Sequence, residues 1–334
     1  MKDVYILSVE SSCDETSMAI IKNGKEVIAC TVLTQMDTHA MYGGVVPEIA
    51  SRMHVENVTM VLEETLEKAN MKVEDVDAIA VTYAPGLMGS LLVGLECAKT
   101  LAFVYDKPLI AVNHMIGHIY ANQLEKDMQY PLLALIVSGG HTDLVLMKGD
   151  YQFEIIGRTL DDAIGECYDK VARVLDLPYP GGPNVERLAK EGKHTYTLPT
   201  SMNDGSFSFS FSGLKSQIVN LVHNEKQRGN EIRKADLACS FQEVAVDQLL
   251  RKTKKAIQTY DVKHVLIAGG VSASQYLRAK MEELTKEENV TLSVPSMKYC
   301  TDNAAMIGAA AYPLYIAGKF ADLDLNAKSV ESLY

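Results

Sequence analysis

Apolar and polar positions along the chain alternate in a way that predicts strands first, and then strands interleaved with helices. Five apolar runs bounded by turn residues have the length and composition of strands. They cover residues 4–9, 18–21, 27–33, 78–83 and 109–112. Helical spacing predicts a long helix from Pro47 towards Ala69 and a second over about 89–104, with the proline suited to a first turn. An early meander followed by strand and helix alternation indicates an α/β lobe.

The second half of the chain begins with the same pattern as the first. Residues 6–16 followed by 18–21, and residues 135–143 followed by 144–146, each predict a strand, a small polar turn and a second strand. A turn lined by hydroxyl, glycine and acidic residues is suited to holding phosphate or a metal–phosphate group. This recurrence predicts two duplicated lobes.

A third element, residues 264–272, is a buried strand that runs into Gly269 and Gly270 before a helix from about Ser274. Glycines here would let a flat ring or a phosphate approach the backbone, although a plain strand-to-helix turn explains them equally well. Together with the two hairpins, this element completes the layout of the actin, Hsp70 and sugar-kinase superfamily, which the chain resembles in architecture.

The predicted fold is therefore α/β and two-lobed, with duplicated mixed sheets flanked by helices. Residues 1–128 are expected to form the first lobe, with 302–334 returning to it, and residues 129–301 the second lobe. The active site is expected in the cleft between the lobes, as in other members of that superfamily.

Two histidines four residues apart, His114 and His118, lie where an apolar strand gives way to a helical stretch. On a helix such residues share a face, with Cβ atoms about 5 to 6 Å apart, so the two imidazoles could bind one transition metal. Capping or buried polar histidines would produce the same spacing. Zinc peptidases of the H-E-x-x-H type also use it, but Met115 occupies the place of the glutamate that would activate water, which disfavours a metallopeptidase.

Two further segments have a structural interpretation from their pattern alone. Residues 206–213 alternate serine and phenylalanine in strand fashion, which favours phenylalanines packed on one buried face over rings exposed for stacking on nucleic-acid bases. Asp302 precedes an alanine-rich helix, residues 304–315, and this position predicts a helix N-cap.

Composition and charge narrow the class of protein. A chain of 334 residues, of which 47% are hydrophobic, is long enough for two domains. Its six cysteines are scattered without a CxxC pair, and neither a signal peptide nor a run of about 18 apolar residues is present, so we expect a reduced, cytoplasmic protein without a membrane segment. The net charge of −11 argues against a broadly basic nucleic-acid surface. The densest basic spots, residues 251–255 and the pair Lys170 and Arg173, are expected to be solvated helix faces.

Six longer segments resemble the TsaD type of tRNA adenosine threonylcarbamoyltransferase, and the match covers almost the entire chain. These segments are residues 10–16, 43–52, 113–118, 137–142, 179–183 and 209–215. The resemblance implies transfer of a threonylcarbamoyl group from its adenylate to N6 of the adenosine beside the anticodon, in tRNAs reading codons that begin with A, with release of AMP. That amine is a poor nucleophile because its lone pair is delocalised into the purine, so the acyl carbon must be polarised and a proton removed.

The same resemblance assigns residues to the metal and to the substrate. It implies that His114, His118 and Asp302 bind one divalent metal, iron(II) or in its place zinc(II), which takes precedence over the N-cap interpretation of Asp302. It assigns nine positions to the substrate: Val137, Ser138, Gly139, Gly140, His141, Asp169, Gly182, Glu186 and Ser274.

Two of the substrate positions depart from the family pattern. Glu186 stands where aspartate is usual, and because the charge is kept on a longer arm we expect it to keep its contact with a ribose hydroxyl. Ser274 stands where asparagine is usual, and the shorter side chain loses the paired donor and acceptor of the amide, so its contact would need a bridging water.

For acid–base chemistry the hypothesis falls on Asp14 and Glu15 in the first turn, where one carboxylate would accept the amine proton and the other would orient substrate or water. Ordinary turn chemistry is the alternative.

Partners also follow from the resemblance. The family acts on tRNA together with a paralogous partner of the TsaB type and a P-loop ATPase of the TsaE type, and an acidic chain would need such help in presenting tRNA. Two other function classes stay open: an ATP-hydrolysing or phosphotransferase member of the same superfamily, and a noncatalytic scaffold whose nucleotide only sets lobe closure.

Overall fold

The structure, a computed structural model, describes residues 2–331. It separates into two compact units. Unit 1 comprises the residues up to Met128 and those from Pro295 onward, and unit 2 comprises Gln129–Val294. The chain returns to unit 1 at Pro295, before the predicted position 302, because its last strand in unit 2 ends at Ser293 and the Ser296 amide then donates to the Glu125 carboxylate of unit 1 at 2.7 Å.

Unit 1 contains a five-stranded mixed sheet with helices packed on it. Its strands are β1 (Tyr5–Glu10), β2 (Glu15–Lys22), β3 (Glu26–Thr34), β4 (Ala78–Ala84) and β5 (Leu109–Asn113), in the order β3-β2-β1-β4-β5. The first three pair antiparallel, and β1, β4 and β5 run parallel. The first four helices are α1 (Met36–Ala40), α2 (Pro47–Ala69), α3 (Met88–Val104) and α4 (His114–Tyr120), with short 3₁₀ turns at Val73–Asp75 and Ala121–Leu124.

Unit 2 repeats this topology. Its strands are β6 (Leu132–Val137), β7 (Thr142–Gly149), β8 (Gln152–Arg158), β9 (His264–Ala268) and β10 (Thr291–Ser293), in the order β10-β9-β6-β7-β8. Again the first three pair antiparallel and the later two add in parallel. Its helices are α5 (Ile164–Val174), α6 (Gly181–Ala189), α7 (Ser212–Arg228), α8 (Lys234–Tyr260) and α9 (Gln275–Glu287), with a 3₁₀ turn at Gly270–Ala273. The predicted duplicated mixed-sheet α/β architecture is therefore confirmed.

The chain ends with two helices of unit 1, α10 (Met297–Cys300) and α11 (Ala304–Ile316). Helix α11 packs on β1, β2 and α4, and its small residues allow close contact, since a side chain at Gly308 would collide with Ile21. The predicted strand and helix bounds agree with the observed ones to within a few residues. None of the helices in the described part of the chain is long and apolar enough to cross a membrane.

The serine–phenylalanine segment 206–213 is not a strand, so that prediction is wrong. Only Phe209 makes a β-bridge, to Thr159, because the Asp161 carboxylate accepts the Phe211 and Ser212 amides and turns the chain into α7. The packing interpretation is confirmed for Phe209 and Phe211, which are completely buried and so cannot stack on bases.

The basic run at residues 251–255 is not a fully solvated helix face. Lys252 is only 4% exposed and donates to the Ser206 carbonyl at 2.6 Å, while Arg251 bonds the Asn203 side chain. These cations hold the loop at 203–206 against α8. The solvated-face prediction is therefore wrong for Lys252, and these contacts reduce what the run could offer a phosphate backbone.

Candidate metal centre and neighbouring acidic turn

The two histidines of the HxxxH pair lie on one turn of α4 because that helix begins directly after β5. The Asn113 side chain caps it by accepting the Met115 amide at 2.9 Å. His114 and His118 thus face the same side, with ring centroids 4.7 Å apart and planes nearly perpendicular. The helical spacing that the sequence predicted is confirmed.

Asp302 joins the two histidines because it does not cap α11. The N-cap is Asn303, whose side chain accepts the Met306 amide at 3.0 Å, so the N-cap prediction for Asp302 is wrong. Its Oδ1 lies 3.1 Å from Nε2 of His118 and 3.4 Å from Nε2 of His114. The glycine between the histidines helps, since a side chain at Gly117 would lie 2.7 Å from Ile307 of α11.

A fourth residue, Glu10, contacts His114 on the side of its ring that faces away from Asp302. It ends β1, is completely buried, and its Oε2 lies 3.0 Å from Nδ1 of His114. The same carboxylate accepts the Thr82 hydroxyl and the Ser12 amide, each at 2.6 Å. Sequence reasoning missed this residue, although a charged side chain ending an otherwise apolar strand was a usable signal.

These contacts shift the ionisation of the group strongly. Burial opposes charge on the His114 imidazole, but the carboxylates of Asp302 and Glu10 outweigh it and raise the pKa of His114 well above its ordinary value. Burial would likewise raise the pKa of both carboxyls, yet the charge of His114 holds the pKa of Asp302 far below its usual range and lowers that of Glu10. The site is thus arranged around opposite charges at close range.

The residues present fit a divalent metal. Three ligand atoms, one from each of His114, His118 and Asp302, lie within 4.8 Å of one another. Two imidazoles and one carboxylate form the donor set typical of iron(II) sites with open positions, and zinc also accepts these ligands. The Nε2 atom of each ring already faces the Asp302 carboxylate. An ion could therefore bind all three side chains with little rearrangement.

The acidic turn at residues 11–14 lies beside this group in unit 1. Glu15, the first residue of β2 after this turn, accepts the Thr34 hydroxyl at 3.2 Å through its carboxyl. Burial, and then the negative charges of Asp302 and Asp14, raise the pKa of the Glu15 carboxyl far above its ordinary value. Without a bound cation, Glu15 is therefore protonated at neutral pH.

A buried histidine of α2 holds this turn in place. His54 is completely buried, its Nε2 lies 2.9 Å from the Cys13 carbonyl, and its Nδ1 lies 2.7 Å from the Thr16 hydroxyl. Since a carbonyl only accepts, Nε2 carries the proton and Nδ1 accepts from Thr16. Sequence reasoning missed His54, but its position between the buried Ala50 and Val61 of α2 marked a polar residue on an apolar helix face.

The predicted substrate residues all lie in unit 2, in two groups. Val137 ends β6, and in the turn that follows the Ser138 hydroxyl accepts the His141 amide at 3.0 Å, with Gly139 and Gly140 between them. The second group surrounds α6. There Asp169 accepts the Gly181 amide at 2.7 Å, next to Gly182.

The two positions that depart from the family pattern both hold the start of α9. Glu186 accepts the Gln275 and Tyr276 amides at 3.1 and 3.3 Å through one oxygen. The Ser274 hydroxyl is the N-cap and accepts the Leu277 amide at 3.2 Å. Both side chains, one longer and one shorter than the residue usual in the family, therefore accept hydrogen bonds from the first amides of this helix.

The comparisons with known proteins agree on one family. The sequence model described as TsaD, tRNA N6-adenosine threonylcarbamoyltransferase, matches residues 26–309. A protein of that name from Bacillus thuringiensis (strain Al Hakam) is 57% identical over 328 residues, which cover 98% of this chain and 96% of the relative. Another from Staphylococcus haemolyticus (strain JCSC1435) is 54% identical over 329 residues, with the same two coverages.

Solved structures share the fold at low sequence identity. HypF of T. kodakarensis has a TM-score of 0.64 at 15% identity, covering 97% of this chain and 49% of that one. Component A of (R)-2-hydroxyglutaryl-CoA dehydratase from Acidaminococcus fermentans has a TM-score of 0.51 at 16% identity, covering 93% and 98%. These likenesses concern the fold alone.

Proposed function

Because this chain belongs to the TsaD family of tRNA N6-adenosine threonylcarbamoyltransferases, we propose that it takes the acyl group from threonylcarbamoyl-adenylate and releases AMP. Membership makes it an enzyme that acts on tRNA, as the sequence predicted. The adenosine next to the anticodon, in tRNAs that read codons beginning with A, is the proposed acceptor. The observation that carries the proposal is the convergence of His114, His118 and Asp302.

The proposed metal ligands are these three residues, and the proposed ion is iron(II), with zinc(II) as a substitute. When bound, a divalent metal supplies Lewis acidity towards substrate oxygens and a fixed point for their orientation. The chain itself contributes a rigid frame: α4 fixes the spacing of the two imidazoles, α11 brings Asp302 to them, and Glu10 holds one ring from behind.

The donor is proposed to bind at glycines of unit 2 that lie in the turn after β6, in the first turn of α6 and at the start of the 3₁₀ turn after β9. At Gly139, Gly140, Gly182 and Gly270, a Cβ atom would meet no atom within 4 Å, and none of them has the positive φ that only glycine adopts easily. Neither crowding nor backbone strain therefore explains glycine at these positions. Close approach of a ligand to the backbone does, and exposed amides in such turns bind phosphate oxygens.

The remaining substrate assignments are proposed on the same footing. Val137, Ser138 and His141 frame the first glycine turn, and Asp169 orders the backbone before Gly182. Glu186 and Ser274 are proposed to act mainly by fixing α9, with one Glu186 oxygen left for a ribose hydroxyl. This modifies the sequence-based expectation, in which Glu186 served the ribose alone.

Asp14 and Glu15 are the proposed acid–base pair. Glu15, held by the Thr34 hydroxyl at 3.2 Å, can hydrogen-bond a polar group of the substrate and so orient it. Asp14 then receives the proton that the N6 amine loses as its bond to the acyl carbon forms, and AMP leaves with the electrons of the broken bond. His54 keeps the turn that carries both residues in one conformation.

Partner proteins and location are also proposals. The net charge of −11 works against attraction of tRNA, and in the basic run at residues 251–255 Lys252 is buried and so cannot reach a phosphate. We propose that a TsaB-type paralogue and a TsaE-type P-loop ATPase complete the tRNA-binding surface, and that the assembly works in the cytoplasm.

The test combines the purified chain, the two proposed partners, unmodified tRNA and threonylcarbamoyl-adenylate, with mass spectrometry of the nucleosides. His114→Ala is compared with His223→Ala, a change at an exposed histidine of α7. We expect threonylcarbamoyladenosine and AMP from the native chain and from His223→Ala, and no product from His114→Ala. If no modified tRNA forms and the purified chain alone releases inorganic phosphate from added ATP, a superfamily ATPase is favoured instead. Full activity of His114→Ala would favour a scaffold role.

A further inference from the structure

Glu10 is a buried carboxylate whose two oxygens both have hydrogen-bond partners. It is completely buried, and it lies within hydrogen-bond distance of three groups: the Ser12 amide, the Thr82 hydroxyl and Nδ1 of His114. Burial of a charge is costly unless donors surround it, so a carboxylate here needs all three. The sequence places this charge at the end of the central strand β1, where the neighbouring strand residues are apolar.

The contacts decide which nitrogen of His114 keeps its proton when a metal binds. An ionised carboxylate can only accept hydrogen bonds, so at 3.0 Å from Oε2 the Nδ1 atom must be the donor. In the metal-free ring Nε2 shares its own proton with Asp302, 3.4 Å away. When a metal takes the place of that proton, Nε2 is the nitrogen left to act as ligand, because Nδ1 stays protonated against Glu10. The opposite arrangement would put the Nδ1 lone pair against a carboxylate oxygen.

A second group competes for the same nitrogen. The Ser12 hydroxyl lies 3.1 Å from Nδ1 and could donate to it, which would select the opposite tautomer. The carboxylate prevents this, because a bare Nδ1 would then face Oε2 with no proton between them. Ser12 can still accept a share of the Nδ1 proton or turn its hydroxyl away.

The second histidine has no such support. Nδ1 of His118 is buried and has no hydrogen-bond partner among residues 2–331. The fold therefore supports the ring of His114 on both sides, whereas His118, within the part of the chain that the structure describes, has a hydrogen-bond partner only at Nε2, which lies 3.1 Å from Asp302. This asymmetry singles out one ligand as the oriented one.

We propose that Glu10 is a positioning residue that fixes the Nε2-ligand tautomer of His114 and thereby raises the affinity of the site for a divalent metal. The inference rests on the proposed metal centre, but not on the tRNA reaction. A carboxylate behind a metal-bound histidine typically changes metal affinity by about 10- to 100-fold.

The variant that tests this is Glu10→Gln. Glutamine has nearly the same volume, but one oxygen becomes an amide nitrogen that donates. If that nitrogen faces His114, it favours the tautomer whose Nε2 is protonated and cannot bind a metal. If the amide flips, the Ser12 amide loses its acceptor instead, so no orientation satisfies all three donors.

The measurement is the zinc(II) dissociation constant, from competition with a chromogenic chelator, on the full chain without tRNA. We expect Glu10→Gln to weaken zinc binding by about 10- to 100-fold. Thr82→Val, which removes a donor to Glu10 but not the His114 contact, and Ser12→Ala are expected to change it by less than about 5-fold. Equal affinity for Glu10→Gln and the native chain would overturn the proposal, as would a loss in Ser12→Ala as large as that in Glu10→Gln.

A spectroscopic readout protects the test against misfolding of the variant. In the native chain with ¹⁵N-labelled histidine and zinc(II), we expect the Nδ1 of His114 to carry a slowly exchanging proton at low field, identified by its absence in His114→Ala. Coordination through Nδ1 would overturn the inference without touching the transferase assignment. Failure of the native chain to bind zinc(II) would overturn the inference together with the proposed metal centre.

Discussion

Units 1 and 2 share one five-stranded topology, yet the turns after their central strands have opposite character. In unit 1 the turn at residues 11–14 is crowded, with its backbone bonded by His54 and Leu87. In unit 2 the turn at residues 138–141 contains two glycines with no atom near their Cβ positions. The same scaffold thus presents carboxylates beside imidazoles in one unit and bare backbone amides in the other.

The residue that ends each central strand differs between the units and accounts for the contact that orients His114 in unit 1. β1 ends in the buried Glu10, whose charge is balanced by His114, whereas β6 ends in the apolar Val137. A buried carboxylate is tolerated only where a cation and donors surround it. The two units share their sheet topology, whereas the residue that ends the central strand, Glu10 or Val137, sets the chemistry of the turn that follows.

The largest effect is expected from the ligands themselves. His114→Ala and Asp302→Ala should reduce bound metal to background and slow transfer by about 10³-fold, equivalent to about 4 kcal/mol, because an oriented Lewis acid is lost. Metal content and the initial rate of threonylcarbamoyladenosine formation would be measured together. Undiminished transfer by metal-free protein would show that unit 1 has no metal-dependent role.

Substitutions in the open turn of unit 2 are expected to weaken donor binding without changing the stability of the fold. Gly139→Ala and Gly140→Ala place a methyl group in free space, so the unfolding midpoint should stay unchanged while affinity for the donor or AMP falls by about 10-fold, or 1.4 kcal/mol. Calorimetric titration measures this.

Gly165→Ala is the control in which the added methyl group meets a crowded position, so that stability and not only binding should change. A Cβ there would lie 2.6 Å from the Ser138 carbonyl oxygen, so destabilisation by about 1–3 kcal/mol is expected. Unaltered binding in both Gly139→Ala and Gly140→Ala would remove the glycine turn from the donor site.

The crowded turn of unit 1 is expected to depend on His54. His54→Ala leaves the Cys13 carbonyl and the Thr16 hydroxyl without their partner, which should lower the free energy of unfolding by about 2–3 kcal/mol and slow transfer by the remaining folded protein. Thr65→Val, which removes a hydroxyl from the same helix far from the turn in sequence, should destabilise without slowing the folded enzyme. Equal rates in the two variants would separate His54 from catalysis.

An effect on stability alone is expected at Asp143, which follows the open turn on β7. Burial raises the pKa of its carboxyl to about 6, from an ordinary value of 3.8, and Arg158 only partly opposes this. The folded state therefore binds the proton more tightly than the unfolded chain. The stabilisation from the protonated form is complete below about pH 3.8 and is lost as the pH rises through about 6.

Asp143→Asn removes this dependence. The variant should be more stable than the native chain by about 1–2 kcal/mol at pH 8, after allowance for partial exposure, and no more stable at pH 3.5. Denaturant unfolding at several pH values measures the difference. A gap that stayed constant with pH would mean that Asp143 does not titrate in this range.

Local features were predictable because they depend on neighbours in the chain. Apolar periodicity predicted the strands of both sheets, and Pro47 marked the start of α2. The spacing of His114 and His118 predicted a shared helix face, which Asn113 then secured as N-cap. The long motifs identified the family, and with it the class of reaction.

Where several local structures fit the same residues, prediction from the sequence alone was wrong or left the alternatives open. Asp302 and Asn303 can each cap a helix, and only the packing of α11 on α4 decides that Asn303 caps while Asp302 faces the histidines. The alternation at residues 206–213 is compatible with a strand, but Asp161 accepts the Phe211 and Ser212 amides, and the chain enters α7 at Ser212.

The sequence by itself determined the elements, the duplication, the family and the shared helix face of His114 and His118, since periodicity, capping and motif spacing act over a few residues. Only the tertiary structure decided that Glu10 supports His114 and that His54 holds the acidic turn. Those contacts join residues 104 and 41 positions apart. They exist because the strand order of one sheet and the packing of α2 bring buried polar groups together that must satisfy one another once water is excluded.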